Sequence, residues 1–196
     1  MPDAHRMPAV RAVHGAARVP GCTAPFDTVH FRVFHATAPT GDDVERLTGQ
    51  LALDRSQQPW PVVVILPGIN IGPEGYRWLA EVMVARGYAV VTMAMIGESL
   101  PGQVGISPGI DIDAVRVGEF GTRPSATALG PLLDALAAMN STGPLAGSLD
   151  LGRVVLAGHL GGGTVALQNA DPVRFPGIVA CWTYASHTLA SAMLGW

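Results

Sequence analysis

Leu156-Ala157-Gly158-His159-Leu160-Gly161-Gly162-Gly163 follows the β-branched run Arg153-Val154-Val155 and leads into Thr164-Val165-Ala166, a stretch that reads as a helix. A buried strand that turns sharply into a helix on closely spaced glycines fits the G-x-S-x-G template of a nucleophile elbow. Glycines two places either side of the central residue let strand and helix approach closely. The turn then pushes the central side chain into a cleft. Gly158 and Gly162 hold the two glycine places here, and the central place holds Leu160.

Working outward, three more runs are apolar and β-branched: Pro61 to Leu66, Tyr88 to Met93 and Gly177 to Trp182. Continuous apolar runs of this length are strands covered on both faces. Helical stretches separate them. Tyr76, Leu79, Ala80 and Met83 share one face and stop at Gly87, and Leu129, Leu132, Leu133, Leu136 and Met139 form a second stripe. Pro131 kinks that helix, or the regular part starts only there. Thr164 to Asn169 makes a third, shorter helix. Strand–helix alternation predicts an α/β fold, a mixed and mostly parallel sheet with helices on both faces. Thr28 to Val33 and Leu47 to Leu53 alternate apolar with polar residues around a polar turn, which predicts an antiparallel pair in front of the parallel part. Residues 1–24 read as an irregular N-terminal segment, residues 25–196 as a single domain, and Gly97 to Gly121 as a long loop.

Composition narrows the function classes. The chain has 196 residues, 48% of them hydrophobic and 14% charged, with a formal net charge of -3. Such a balance lacks the basic face of a nucleic-acid binder. No apolar run is long enough for a membrane span, and no signal peptide is evident, so a cytoplasmic protein is expected. Cys22 and Cys181 suggest no disulfide framework. No cofactor and no metal are expected.

The residues around the elbow resemble the α/β-hydrolase superfamily, in the branch that holds polyester hydrolases, dienelactone-hydrolase-like proteins and chlorophyllase-like esterases. Pro61 to Asn70 resembles its strand and oxyanion loop, Tyr76 to Val91 its next helix and strand, and Leu149 to Gly163 its lead into the elbow. The resemblance implies carboxylic-ester hydrolysis through an acyl-enzyme. It implies an oxyanion hole made by the backbone N–H groups of Ile69 and Gly161, and substrate contacts from Ile69 and Trp182. Two departures matter. Leu160 has no lone pair or labile proton, so it cannot attack a carbonyl. The order of the triad in this fold is nucleophile, acid, histidine. Neither later member can be assigned before Trp196, so the C-terminal strands are expected to be lacking.

Other candidates read more simply. Gly105-Ile106-Ser107-Pro108-Gly109 repeats the motif without a preceding apolar strand, and reads as a turn. His187 beside Ser186 lacks an orienting acid and reads as a loop histidine. His159 reads as a packing residue. Asp111, Asp113 and Glu119 read as a solvated loop face rather than a metal site. Gly161 to Ala166 fits a loose dinucleotide fingerprint, but no acidic residue follows at ribose-binding distance. Three functions remain: an impaired hydrolase, a non-catalytic binder of a small hydrophobic ester, acid or partner protein, and an enzyme completed by a partner chain. The strand ending at Trp182 would leave an apolar sheet edge, to be covered by Tyr184, Leu189 and Met193 folding back or by a homodimer.

Overall fold

A computed structural model gives the fold and describes residues 9–100, 102–116, 118–119 and 121–187. In chain order the strands are β1 (Ala9–Arg18), β2 (Thr28–Ala38), β3 (Ala52–Leu53), β4 (Trp60–Leu66), β5 (Ala89–Leu100), β6 (Gln103–Ser107), β7 (Leu149–His159) and β8 (Ile178–Tyr184). The helices are α1 (Asp43–Thr48), α2 (Arg77–Val84), α3 (Leu129–Ser141) and α4 (Gly161–Asn169).

The apolar runs form the parallel centre of one sheet. β4 lies between β5 and β7, and β8 follows β7, all parallel. β5 also meets β2, and β2 meets β1, both antiparallel, so the order is β1-β2-β5-β4-β7-β8. This is the expected mixed sheet. Val62, Val63, Val64, Leu66, Val90, Val91, Leu156 and Ala157 have no exposed surface at all. Burying each large aliphatic side chain contributes roughly 1.5–3 kcal/mol, which is why the strands richest in them take the centre.

Neighbouring residues on a strand face opposite ways. Gly158 lies against the first turn of α4, whereas His159 points to Tyr76, which immediately precedes α2. The helices α2 and α4 therefore cover opposite faces. The α3 entry joins the α4 side, because the Asn169 Oδ1 accepts from the Ser125 and Ala126 N–H groups at 3.1 and 3.3 Å.

Three expectations need correction. The N-terminal segment 1–24 is not irregular throughout: β1 pairs residue for residue with β2 from Ala9↔Thr37 to Arg18↔Thr28. Its side chains are mostly Ala, Gly and Val, too small to show a clear alternation, and the partner strand supplies the order. The antiparallel pair expected from Leu47 to Leu53 shrinks to Thr37↔Leu53 and Ala38↔Ala52. α1 takes the residues before it. The Asp42 carboxylate caps the Glu45 N–H at 2.8 Å, the Glu45 carboxylate accepts from the Thr40 and Gly41 N–H groups at 2.6 and 2.8 Å, and Gly49 ends the helix at φ 69. The loop expected from Gly97 to Gly121 begins as a hairpin, in which β5 continues to Leu100 and returns as β6. Pro131 falls in the first turn of α3, where its missing N–H costs nothing.

His35 is buried in β2 and stacks on Trp60, with ring centroids 6.1 Å apart, and its Nδ1 is 3.2 Å from the Ala36 carbonyl. Burial holds its pKa below the ordinary value of 6.5, although the bond to Ala36 works the other way. As pH falls through that value, the unfolded chain binds a proton that the folded chain resists. The stability contributed by the neutral ring is therefore present above pH 6.5 and lost below it. We expect the native chain to lose more thermal stability between about pH 7.5 and about pH 5.5 than His35→Phe does. Equal losses in both proteins, measured by calorimetry, would refute the assignment to His35.

Candidate active-site elbow and cleft

The elbow is held by backbone against backbone. A Cβ at Gly162 would overlap the carbonyl oxygens of Leu66 and Pro67, and one at Gly158 would overlap the Gly162 carbonyl and the Gly163 Cα. A Cβ at Gly163 would overlap Ser186. The end of β4, the end of β7 and the start of α4 thus meet without room for any side chain. Between them Leu160 adopts φ 51 and ψ -124. A non-glycine residue there carries strain of about 1–3 kcal/mol. Its side chain is 40% exposed at the rim.

The two backbone donors expected for the oxyanion hole lie either side of this crossing. Gly161 is the first residue of α4, and Ile69 follows the buried Pro67-Gly68 turn. Neither N–H has a hydrogen-bond acceptor among the described residues. Open donors at a helix start favour negative charge. The Leu160 N–H instead donates to the Tyr184 carbonyl at 3.1 Å, which fixes the elbow to β8.

A relay that sequence reading missed ties the Pro67–Asn70 loop to the elbow. The Gly68 N–H donates to the Tyr76 hydroxyl at 2.9 Å, and that hydroxyl lies 3.1 Å from His159 Nδ1. The hydroxyl thus accepts from Gly68 and shares a second hydrogen bond with Nδ1, whose direction follows the histidine tautomer. Burial raises the Tyr76 pKa, so the hydroxyl keeps its proton. The His159 ring also stacks on Tyr184 with centroids 5.5 Å apart. His159 therefore packs and orients, in line with its reading from sequence. Asn70 does similar work on the other side. Its N–H donates to the Ile106 carbonyl at 2.8 Å, and its Oδ1 accepts from the Ile106 N–H at 3.2 Å.

Ile69 and Trp182 are not brought together. Ile69 lines a cleft of about 240 Å³ with Phe26, Met95, Glu98, Ser107 and Ile110. Trp182 lines a separate groove of about 540 Å³ on the α2 side, with Tyr76, Trp78, Leu79, His159 and Tyr184. The alternation of β8 puts Trp182 and Tyr184 on the same face, away from Ile69. Ile69 and Trp182 therefore line different hollows of the surface.

The remaining candidates lie as follows. Ser107 ends β6, is buried, and accepts from the Gly109 N–H at 3.1 Å. A Cβ at Gly105 would overlap the Asn70 carboxamide, and Gly105 to Ser107 belong to β6 rather than to the expected turn, which is confined to the residues after Ser107. Ser186 donates to Thr183 at 2.7 Å, and the His187 backbone is bound to the Thr164 hydroxyl. Asp111 pairs with Arg123, and Asp113 with Arg116. No metal-ligating cluster occurs among the described residues, and no helix among them is long and apolar enough to cross a membrane.

Solved structures give the architecture a name. A bacterial heroin esterase aligns with 94% of the chain at a TM-score of 0.54 and 14% identity. A proposed carboxylesterase from Lactobacillus plantarum aligns with 91% at 0.51 and 17% identity. The fold is the α/β-hydrolase fold. The chain spans 46% and 61% of the lengths of those two proteins. No protein-family model and no curated protein sequence matches it.

Two substitutions separate the contacts of the elbow. Gly162→Ala should destabilise the protein by about 3 kcal/mol or more, because the clash is with backbone that cannot repack. Tyr76→Phe should cost about 1–3 kcal/mol, by leaving the buried Gly68 N–H without an acceptor. Denaturant unfolding measures both. A Gly162→Ala protein as stable as the native chain would show that strand and helix do not meet as described.

Proposed function

We propose that this chain is an α/β-hydrolase-fold protein of carboxylic-ester hydrolase ancestry that retains its oxyanion hole and acyl cleft but does not turn over esters by itself. The supporting observation is Leu160, which stands at φ 51 in the nucleophile position with the open N–H groups of Ile69 and Gly161 beside it. Those donors suit a carbonyl oxygen or carboxylate. The adjoining cleft, lined by Ile69, Met95 and Ile110, suits a short apolar acyl group. The ligand class is a small hydrophobic ester or its acid. The residue matches around Pro67-Gly68 and Gly158 to Gly163 favour the polyester- and dienelactone-hydrolase-like branch.

Leucine offers no electron pair, and a restored serine would still need a base to take its proton. A thiol needs less help, since a useful fraction is already thiolate near pH 8.5. Leu160→Cys is therefore the informative variant. With p-nitrophenyl butyrate, its thiolate attacks the carbonyl carbon, p-nitrophenolate leaves with the bonding electrons, and a thioester remains. The native chain should release no p-nitrophenolate above a heat-killed control. Leu160→Cys should give a single burst and become acylated on the introduced thiol, located by the mass of the peptide that carries the elbow. Turnover by the native chain would overturn the proposal. So would acylation of the variant at Cys22 and Cys181 alone, the same as in the native chain.

A further inference from the structure

The cleft beside Ile69 carries a charge that the elbow chemistry does not use. Glu98 is the one charged side chain in its described wall, and no arginine or histidine lines it. Glu98 stands near the turn of the β5–β6 hairpin, opposite Val104. Its Oε1 accepts from the Gly102 N–H at 2.6 Å, which orients the carboxylate, and Oε2 has no partner among the described residues. The protein offers it no counter-charge there. The chain has no lysine, and every described arginine is bound to some other group.

The rest of the wall suits a cation as well. Ser107 is buried, and its Oγ spends one lone pair on the Gly109 N–H and keeps a second. The Thr127 hydroxyl is a further acceptor, and the Phe26 ring offers a face that attracts an ammonium group. The polar side chains of this wall are thus acceptors without a positive charge among them, whereas the Ile69 N–H is an open donor. The two kinds of group are spaced along the hairpin. The loop that carries Ile69 docks through Asn70 on Ile106, and Ile106 pairs with Ile96. Glu98 lies two residues beyond Ile96 on β5, a step of about 7 Å. About two or three methylene groups with a hydrogen bond at each end cover that step.

Resting on the acyl cleft proposed above, we propose that Glu98 makes this cleft select an acyl group that ends in a protonated amine. The carbonyl oxygen meets the Ile69 and Gly161 N–H groups, the methylenes lie against Met95 and Ile110, and the ammonium group meets Glu98 and Ser107. Glu98 is then a specificity-determining residue. It narrows the ligand class from small apolar esters to amino-acyl esters. It also rejects an acyl group that ends in a carboxylate, because like charges would meet where no cation stands between them.

Three methyl esters that differ only in their end group test this: methyl butanoate, methyl 3-aminopropanoate and monomethyl succinate, which are neutral, cationic and anionic near pH 7. Each is titrated into the native chain, and the backbone amide resonances of Ile69 and Glu98 report where it binds and how tightly. The amino ester should bind at least about threefold more tightly than methyl butanoate at low salt, and the succinate ester more weakly than either. The preference should shrink as salt rises. Glu98→Gln should abolish it and leave the affinity for methyl butanoate unchanged. If no ester moves the Ile69 amide, the acyl-cleft reading falls and this proposal falls with it. If methyl butanoate moves that amide but the amino ester is not preferred, the cleft reading stands and the role of Glu98 alone is overturned. A preference that survives Glu98→Gln puts the charge recognition elsewhere and overturns that role too.

Discussion

The structure depends on one contact: the carbonyl oxygens of Leu66 and Pro67 pressed against Gly162 at the start of α4. Because no Cβ fits there, or at Gly158, strand and helix approach until only backbone separates them. That approach sets the positive φ of Leu160 and leaves the Gly161 N–H open at the helix start. It also brings the loop that carries Ile69 alongside. The strain at Leu160 is about 1–3 kcal/mol, a sizeable part of a total stability of about 5–15 kcal/mol. It persists around a side chain that can do no covalent chemistry. The elbow is thus a property of the glycines and not of the nucleophile, and its presence in a fold does not by itself imply turnover.

This separation explains what was legible in the sequence. The parallel strands could be read because burial on both faces leaves a continuous apolar run, a signal that needs no partner to interpret. The elbow could be read because three close backbone approaches demand glycine at fixed spacing. β1 could not, since Ala, Gly and Val at its inward places look like a loop until β2 is beside it. α1 did carry a signal, the Asp42 to Glu45 capping box, but in a stretch too polar to show a helical stripe. The β5–β6 hairpin was hidden by Gly97, Gly102 and Gly105, whose reasons are a contact with Ser107, a positive φ and the Asn70 carboxamide.

The site was legible where backbone makes it and obscure where side chains do. Ile69 and Gly161 are backbone positions named by the resemblance, and neither N–H has an acceptor among the described residues. The Gly68–Tyr76–His159 relay joins residues 83 positions apart in its longest step, which no local pattern reports. The face of the sheet that Trp182 takes was not legible for a simpler reason. A strand residue at the right height beside a cleft still faces one of two sides, and the side is set by a register that only the Leu160–Tyr184 bond reveals.

That bond also links the elbow to β8. One peptide group of β8, the Tyr184 carbonyl, accepts from the elbow, and the strand pairs along its length with β7. Whatever moves β8 therefore bears on the residue that fixes Leu160, through backbone and no side chain. A shift of β8 moves Tyr184, and with it both the Leu160 N–H and the ring that stacks on His159. The position of β8 and the position of the Leu160 N–H are thus mechanically one matter, joined by a single backbone hydrogen bond.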